Sequence, residues 1–256
     1  MKLKIQQNKT VFQIMKAKIL TTAVLLALNS AAASAATINI RHEFSPEHGD
    51  RAKAQHRDRI AVSHRFDNGI GFEVEAKWRS NQKTSDENEK AFDEFAGNGQ
   101  QANVSYRYRL SDSFTLTPQY KWESNDSKMG NQFNLTLGYK INSDWSASFR
   151  HRYHYETKPN VDESSHYNRW TFGAGYTGFD LWSLGASLDY TWKQSSDIVY
   201  KDDSHGISEV NFTAEYRGLE SGWRPFGEFG MTPSRKDDAD VDSYRPRFRV
   251  GMKYNF

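Results

Sequence analysis

The chain has 256 residues, no cysteine and a formal net charge of +2, with 34 basic against 32 acidic side chains. It is polar overall yet carries 13 Tyr, 16 Phe and 7 Trp, which excludes a disordered chain, because such chains are poor in aromatics. Beyond the first residues no apolar run approaches the roughly 20 residues that a membrane-spanning helix needs, and the lack of cysteine fits an envelope protein that does without disulfides.

The N-terminus reads as a secretory signal over residues 1–35. Lys2, Lys4, Lys9, Lys16 and Lys18 form a basic region, Ile19 to Leu28 a short apolar run, and Ala33-Ser34-Ala35 a small-residue cleavage site. Met15-Lys16-Ala17-Lys18 would itself begin a signal of ordinary length, so translation is expected to start at Met1 or Met15. Residues 36–256 are expected to form one domain.

From there a period-two pattern repeats. Ile38, Ile40 and Phe44 alternate with Asn39, Arg41 and Glu43. Ile60, Val62 and Phe66 alternate with Arg59, Ser63 and Arg65, and Phe72, Val74 and Trp78 with Glu73, Glu75 and Lys77. Val104, Tyr106 and Tyr108 then alternate with Ser105, Arg107 and Arg109, Leu116, Tyr120 and Trp122 with Thr117 and Lys121, and Phe133, Leu135 and Tyr139 with Asn134 and Lys140. Phe149, His151 and Tyr153 follow, alternating with Arg150 and Arg152; Trp170 and Phe172 with Arg169 and Thr171; and Trp182, Leu184 and Trp192 with Ser183 and Lys193. Val210, Phe212 and Tyr216 alternate with Glu209 and Glu215. Residues 223–229 fit least well, since Phe226 falls on the polar side. Phe248, Val250, Met252 and Tyr254 close the series against Arg247, Arg249 and Lys253.

The pattern predicts twelve strands. Five tight turns rich in Gly, Asn, Asp and Ser (67–69, 111–113, 142–144, 178–180 and 218–221) alternate with longer polar segments. Short turns at one end and longer loops at the other, with both termini on the short-turn side, are the signature of a closed antiparallel transmembrane β-barrel in a bacterial outer membrane, in contact with its lipid and lipopolysaccharide. Closure is required because an open sheet edge finds no hydrogen-bond partner in lipid. All seven tryptophans fall on the outward parity near strand ends, where amphipathic rings form interfacial girdles.

The inward parity is strongly basic. Arg41, Arg57, Arg59, Lys77, Arg107, Arg109, Lys121, Lys140, Arg150, Arg152, Arg169, Arg245, Arg247 and Arg249 lie on it with six further bases, twenty against nine acids. Loop acids such as Asp86, Glu87, Asp237 and Asp238 restore the near-neutral total. Low-dielectric walls focus such charge into a lumen, and the planar guanidinium fork suits a carboxylate. An excess of about eleven positives cannot all be paired, which predicts an open, anion-selective pore. Twelve strands enclose a narrow channel, between filled eight-stranded and wide sixteen-stranded barrels.

The start Ala36-Thr37-Ile38-Asn39-Ile40-Arg41, the twelve-strand rhythm, the Arg-rich inner face and terminal Phe256 together resemble the oligogalacturonate-specific porin family (KdgM) over the whole mature chain. The resemblance implies a monomeric channel for acidic oligosaccharides from pectin, with relatives serving sialic acid. It also implies that the lumenal bases form tracks for uronates. The matching positions are Arg41, Arg57, Arg59, Arg245, Arg247 and Arg249 on one wall, and Arg107, Arg109, Arg150, Arg152, Arg169, Lys121 and Lys140 on another. Arg245, Arg247 and Arg249 share one strand face at a repeat of about 6.8 Å, twice the antiparallel rise. Terminal Phe256 looks like the signal read by barrel assembly machinery. A sialic acid channel and a general anion pore remain as alternatives.

Other functions fit less well. A barrel hydrolase would need a Ser, His and acid grouped on the outer surface; no nucleophile elbow is present, and His42, His56, His64 and His151 read as girdle residues. No catalytic residue, metal site or cofactor is expected, since Asp237-Asp238-Ala239-Asp240 lacks the spacing of a calcium loop. An adhesin would carry longer loops. Nucleic-acid binding would need its bases on an outer surface rather than inside a lumen.

Overall fold

The structure is a computed structural model that describes residues 36–49, 52–80, 88–159, 164–195, 205–234 and 243–256. The expected signal peptide and both candidate translation starts lie outside these residues, as do Asp86, Glu87, Asp237, Asp238 and Asp240.

Twelve strands make the barrel: β1 (Thr37–Ser45), β2 (Gln55–Arg65), β3 (Ile70–Arg79), β4 (Ala96–Tyr106, resuming at Tyr108–Arg109), β5 (Phe114–Ser124), β6 (Met129–Lys140), β7 (Trp145–Thr157), β8 (Ser164–Tyr176), β9 (Trp182–Ser195), β10 (His205–Tyr216), β11 (Trp223–Ser234) and β12 (Ser243–Asn255). Each pairs antiparallel with its chain neighbours, and β1 pairs with β12, so the sheet closes on itself. At the seam Thr37 lies opposite Asn255 and Phe44 opposite Phe248, which puts the start of β1 and the end of β12 at the end of the five short turns.

One interruption has a local cause. The β4–β5 ladder runs from Gln100–Ser124 to Ser105–Gln119 and returns at Tyr108–Leu116. The break lies across from Pro118, which has no N–H to donate to a ladder. The Arg107 amide donates instead to the carbonyl of Gly69 at 2.9 Å.

The wall is apolar outside and polar inside, as the parity predicts. Ile40, Leu135, Phe172, Phe248 and Val250 point outward, Val250 being 60% exposed, because in a membrane barrel the apolar face meets lipid. Among the described residues the buried side chains are mostly polar, lumenal Glu75 at 2% exposure among them. Cross-strand aromatic pairs ring the short-turn end: Phe114–Tyr139, Trp145–Tyr176, Trp182–Tyr216 and Trp223–Tyr254 have centroids 4.6 to 5.0 Å apart. Such directly opposed pairs stabilise a sheet as well as anchoring it at the interface.

Phe226 faces the lumen, and its neighbour explains why. It sits opposite Gly251, where a Cβ would lie 2.6 Å from the Phe226 ring. The ring covers the glycine, and the Lys253 ammonium rests 5.0 Å from its centroid. The same Cβ would be driven into the carbonyl oxygen of Ile40 across the seam. Replacing Gly251 by Ala should therefore part β1 from β12 and destabilise the folded barrel by about 1–3 kcal/mol, the usual cost of overpacking. Heat-modified gel mobility reads this; an unchanged melting temperature would show that the seam is not tight.

Candidate functional site

The lumen contains two kinds of basic residue, distinguished by what each one touches. On β10–β12 and β1–β3 most of the proposed bases are clasped by carboxylates. Arg249 donates from Nε to Glu43 Oε2 at 2.6 Å and from Nη1 to Glu228 Oε1 at 2.5 Å. Arg247 is only 6% exposed and donates from Nη2 to Glu209 Oε1 at 2.5 Å and to Asn211 Oδ1 at 2.6 Å. Arg59 meets Glu75 at 2.6 Å, Lys77 approaches the same carboxylate at 3.4 Å, and Lys253 meets Glu215 at 2.5 Å. Arg57 lies 3.5 Å from Glu43. Arg245 donates to the Lys53 carbonyl at 3.2 Å and to Gln55 at 2.8 Å.

Arg247 reaches its acid across a whole strand. Gly230 of β11 lies opposite Arg247 on one side and Asn211 on the other. A Cβ at Gly230 would come within 2.5 Å of Asn211 Oδ1 and 3.2 Å of Arg247 Nη2, so only glycine leaves the passage open. A glycine of lumenal parity between a basic and an acidic strand is the sequence signal for such a bridge.

On β4–β8 the bases have neutral company. Arg152 donates from Nε to Asn134 Oδ1 at 2.8 Å, and Arg150 from Nη2 to Thr171 Oγ1 at 2.9 Å. Arg152 lies directly opposite Arg169 in the β7–β8 register, and like charges so placed repel. Arg169 is steadied by Thr191 at 3.0 Å and Asp189 at 3.5 Å. Lys121 is intermediate, 2.9 Å from Gln101 and 3.5 Å from Glu123. Arg107, Arg109 and Lys140, near the short-turn end, have no ion pair with a described residue. Arg41 has none either, although it stands amid the clasped bank opposite Arg59.

The sequence thus places every candidate base on the lumenal face but does not sort them. Its two proposed walls correspond to two sides of the barrel. Only one of them is largely free of carboxylates, and of the proposed track Arg245, Arg247 and Arg249 the last two lie in the carboxylate cluster, while Arg245 is held by the Lys53 carbonyl and Gln55. Among the described residues no group of three or more His, Asp or Glu side chains could hold a metal ion. On the outer wall His42 pairs with Asp58 at 2.8 Å and with His56 at 3.1 Å beneath Phe92, while His64 packs against Phe66 and Phe72.

A family model described as oligogalacturonate-specific porin protein (KdgM) matches residues 29–256. The oligogalacturonate-specific porin KdgM of Dickeya dadantii (strain 3937) is 30% identical over 246 residues, covering 94% of this chain and 100% of that protein. YiiY of Salmonella typhimurium is 28% identical over 236 residues, covering 91% and 96%. A solved KdgM porin in complex with disordered oligogalacturonate superposes with a TM-score of 0.60 at 25% identity, over 86% of this chain and 99% of that one. The NanC porin gives 0.66 at 16% identity over 86% and 100%, a likeness of fold.

The clasped bank makes a stability prediction. Glu43→Gln removes the charged acceptor of Arg249 Nε and weakens the hold on Arg57. It should lower the unfolding free energy of the barrel by about 2 kcal/mol, typical of a hydrogen bond to a charged group. The urea midpoint in lipid vesicles measures it. An unchanged midpoint would mean that lumenal water replaces the carboxylate at no cost.

Proposed function

The chain belongs to the oligogalacturonate-specific porin (KdgM) family of outer-membrane β-barrel channels, and from that premise we propose that it carries short acidic oligosaccharides, oligogalacturonates first among them, past the arginines of β7 and β8. The observation that carries the reading is the contrast between the two banks. Guanidinium groups already clasped by Glu43, Glu209 and Glu228 have little left to offer a uronate. Among the described residues Arg150 and Arg152 hydrogen-bond only to neutral side chains, and they keep their charge for the solute.

The physics supports passage rather than capture. A charge pair at 4 Å is worth about 1 kcal/mol in water and about 4 kcal/mol at an effective dielectric of 20. Several such contacts in series draw an anion in without trapping it, as conduction demands. Uronate carboxylates are ionised near neutral pH, as the aspartate side chain is with its pKa of about 3.9, so each sugar brings one negative charge. Arg150 and Arg152 are two residues apart on one strand face, about 6.8 Å, a distance comparable with that between successive sugars. Arg41, Arg107, Arg109, Lys121, Lys140 and Arg169 extend the path. Arg57, Arg59, Lys77, Arg245, Arg247 and Arg249 brace the wall and contribute to the field. We further propose a signal peptide over residues 1–35, a monomeric barrel seated in lipid and lipopolysaccharide, and recognition of the exposed terminal Phe256 by the barrel assembly machinery.

Two measurements test this. In a potassium chloride gradient the reconstituted protein should prefer chloride. The preference should fall with ionic strength, as the Debye length shrinks from about 10 Å at 0.1 M to about 3 Å at 1 M. Cation selectivity would overturn the proposal outright.

The second measurement separates the banks. Replacing Arg150 and Arg152 together by serine should raise the trigalacturonate concentration that half-blocks the current by about tenfold, equivalent to about 1.4 kcal/mol. It should leave the urea midpoint near that of the parent. Replacing Arg247 and Arg249 should do the reverse, lowering the midpoint and changing the block less. If the block responds equally to both pairs, or if neutral trisaccharides are affected alike, the arginines of β7 do not guide the uronates.

A further inference from the structure

A single hydrogen-bonded chain of side chains crosses five strands of the lumenal wall. Arg152 Nε of β7 donates to Asn134 Oδ1 of β6 at 2.8 Å. Asn134 Nδ2 donates to Gln119 Oε1 of β5 at 3.1 Å, and Gln119 Nε2 to Asn103 Oδ1 of β4 at 3.1 Å. Asn103 Nδ2 donates to Glu73 Oε1 of β3 at 3.2 Å. Three links join directly opposed residues. The fourth is diagonal, because the residue opposite Gln119 is Ser105, which is already engaged by Arg65 at 3.0 Å and by the Gly71 carbonyl.

The direction of this chain is forced by its ends. A guanidinium only donates and a carboxylate only accepts. Once Arg152 takes the oxygen of Asn134, the Asn134 amide nitrogen must face Gln119, and the same choice passes down to Glu73. All three amide dipoles therefore align between a positive and a negative terminus, the arrangement in which hydrogen bonds polarise one another cooperatively. The chain uses Nε of Arg152 and leaves its two terminal nitrogens without a partner among the described residues. Without the chain, repulsion from Arg169 directly opposite would set where that fork points.

We infer that Asn134, Gln119 and Asn103 are positioning residues that transmit the anchorage of Glu73 to Arg152, fixing the guanidinium plane with its terminal nitrogens presented to a uronate carboxylate. The inference rests on the proposed role of Arg152 as a uronate contact. It adds three uncharged residues that touch neither the charge balance nor Arg152's free nitrogens. A planar fork binds a carboxylate bidentately only when its orientation is held.

Gln119→Met breaks the chain in the middle without altering any charge, and Asn103→Leu breaks it at the residue three links from Arg152. In nanodiscs with nitrogen-labelled arginine, the Arg152 Nε–H (identified by its loss in Arg152→Lys) should exchange with solvent at least tenfold faster in either variant than in the parent. The trigalacturonate concentration for half-block should rise about fivefold, and the potassium chloride reversal potential should not move. Since the links act in series, Gln119→Met combined with Asn134→Leu should lose no more affinity than the worse single variant, whereas independent contacts would add.

Unchanged exchange in both breaking variants, additive losses, or a shifted reversal potential would each overturn the inference. If trigalacturonate fails to block even the parent, the substrate proposal fails, and the exchange rates still decide whether the chain holds Arg152. Should Gln119→Met not fold, Asn103→Leu asks the same question from further away.

Discussion

A sheet in hydrocarbon has no water to complete its backbone hydrogen bonds, so every strand needs a partner on both sides. In this chain that requirement is met at the β1–β12 seam, where Thr37 to Phe44 pair with Phe248 to Asn255. Closure then dictates the remainder. It turns one face of every strand toward lipid and the other toward an enclosed lumen. It also brings strands from opposite ends of the sequence into one wall. Glu43 of β1 can clasp Arg249 of β12 only because the ring is closed. The close approach at Gly251, under the Phe226 ring, is the steric side of the same closure.

A closed wall with a polar interior must do something with its charges. An unpaired buried charge is costly, whereas one facing a water-filled lumen is not. The barrel resolves this unevenly. Glu43, Glu209, Glu215 and Glu228 gather on β1, β10 and β11, where they neutralise much of the basic charge of β12. The β6–β8 side has few acids, so Arg150 and Arg152 donate to Thr171 and Asn134 instead. A neutral partner fixes a guanidinium without cancelling its charge. The asymmetry between the two sides of the lumen thus follows from where a handful of carboxylates sit, since both sides have arginines.

Much of this was legible in the sequence and some was not, for definable reasons. Alternation gives the face of each residue, because the side-chain period of a strand is two. The turn residues give the connectivity. Together they assign Arg41, Arg150 and Arg247 to the lumenal side. Partner choice depends on the stagger between strands, which no single strand encodes. Arg247 and Glu209 are two strands apart and meet only over Gly230. The diagonal step from Gln119 to Asn103 depends on Ser105 being occupied. Phe226 broke the alternation for a reason found on another strand, at Gly251. Pro118 carried a visible signal, a missing donor, whose consequence appears on β4 as the break at Arg107.

The amide chain between Glu73 and Arg152 reconciles two demands on such a wall. To conduct, the lumen must offer charge that is not held by countercharge, because a solute cannot compete with a carboxylate fixed at 2.6 Å. To discriminate, the offered charge must have a defined direction, since a wandering guanidinium attracts any anion equally. Direct pairing of Arg152 with an acid would meet the second demand and defeat the first. Placing the acid four strands away and connecting it through aligned neutral amides meets both. The carboxylate of Glu73 fixes the orientation of the chain, while the intervening Asn103, Gln119 and Asn134 keep its charge from cancelling that of Arg152.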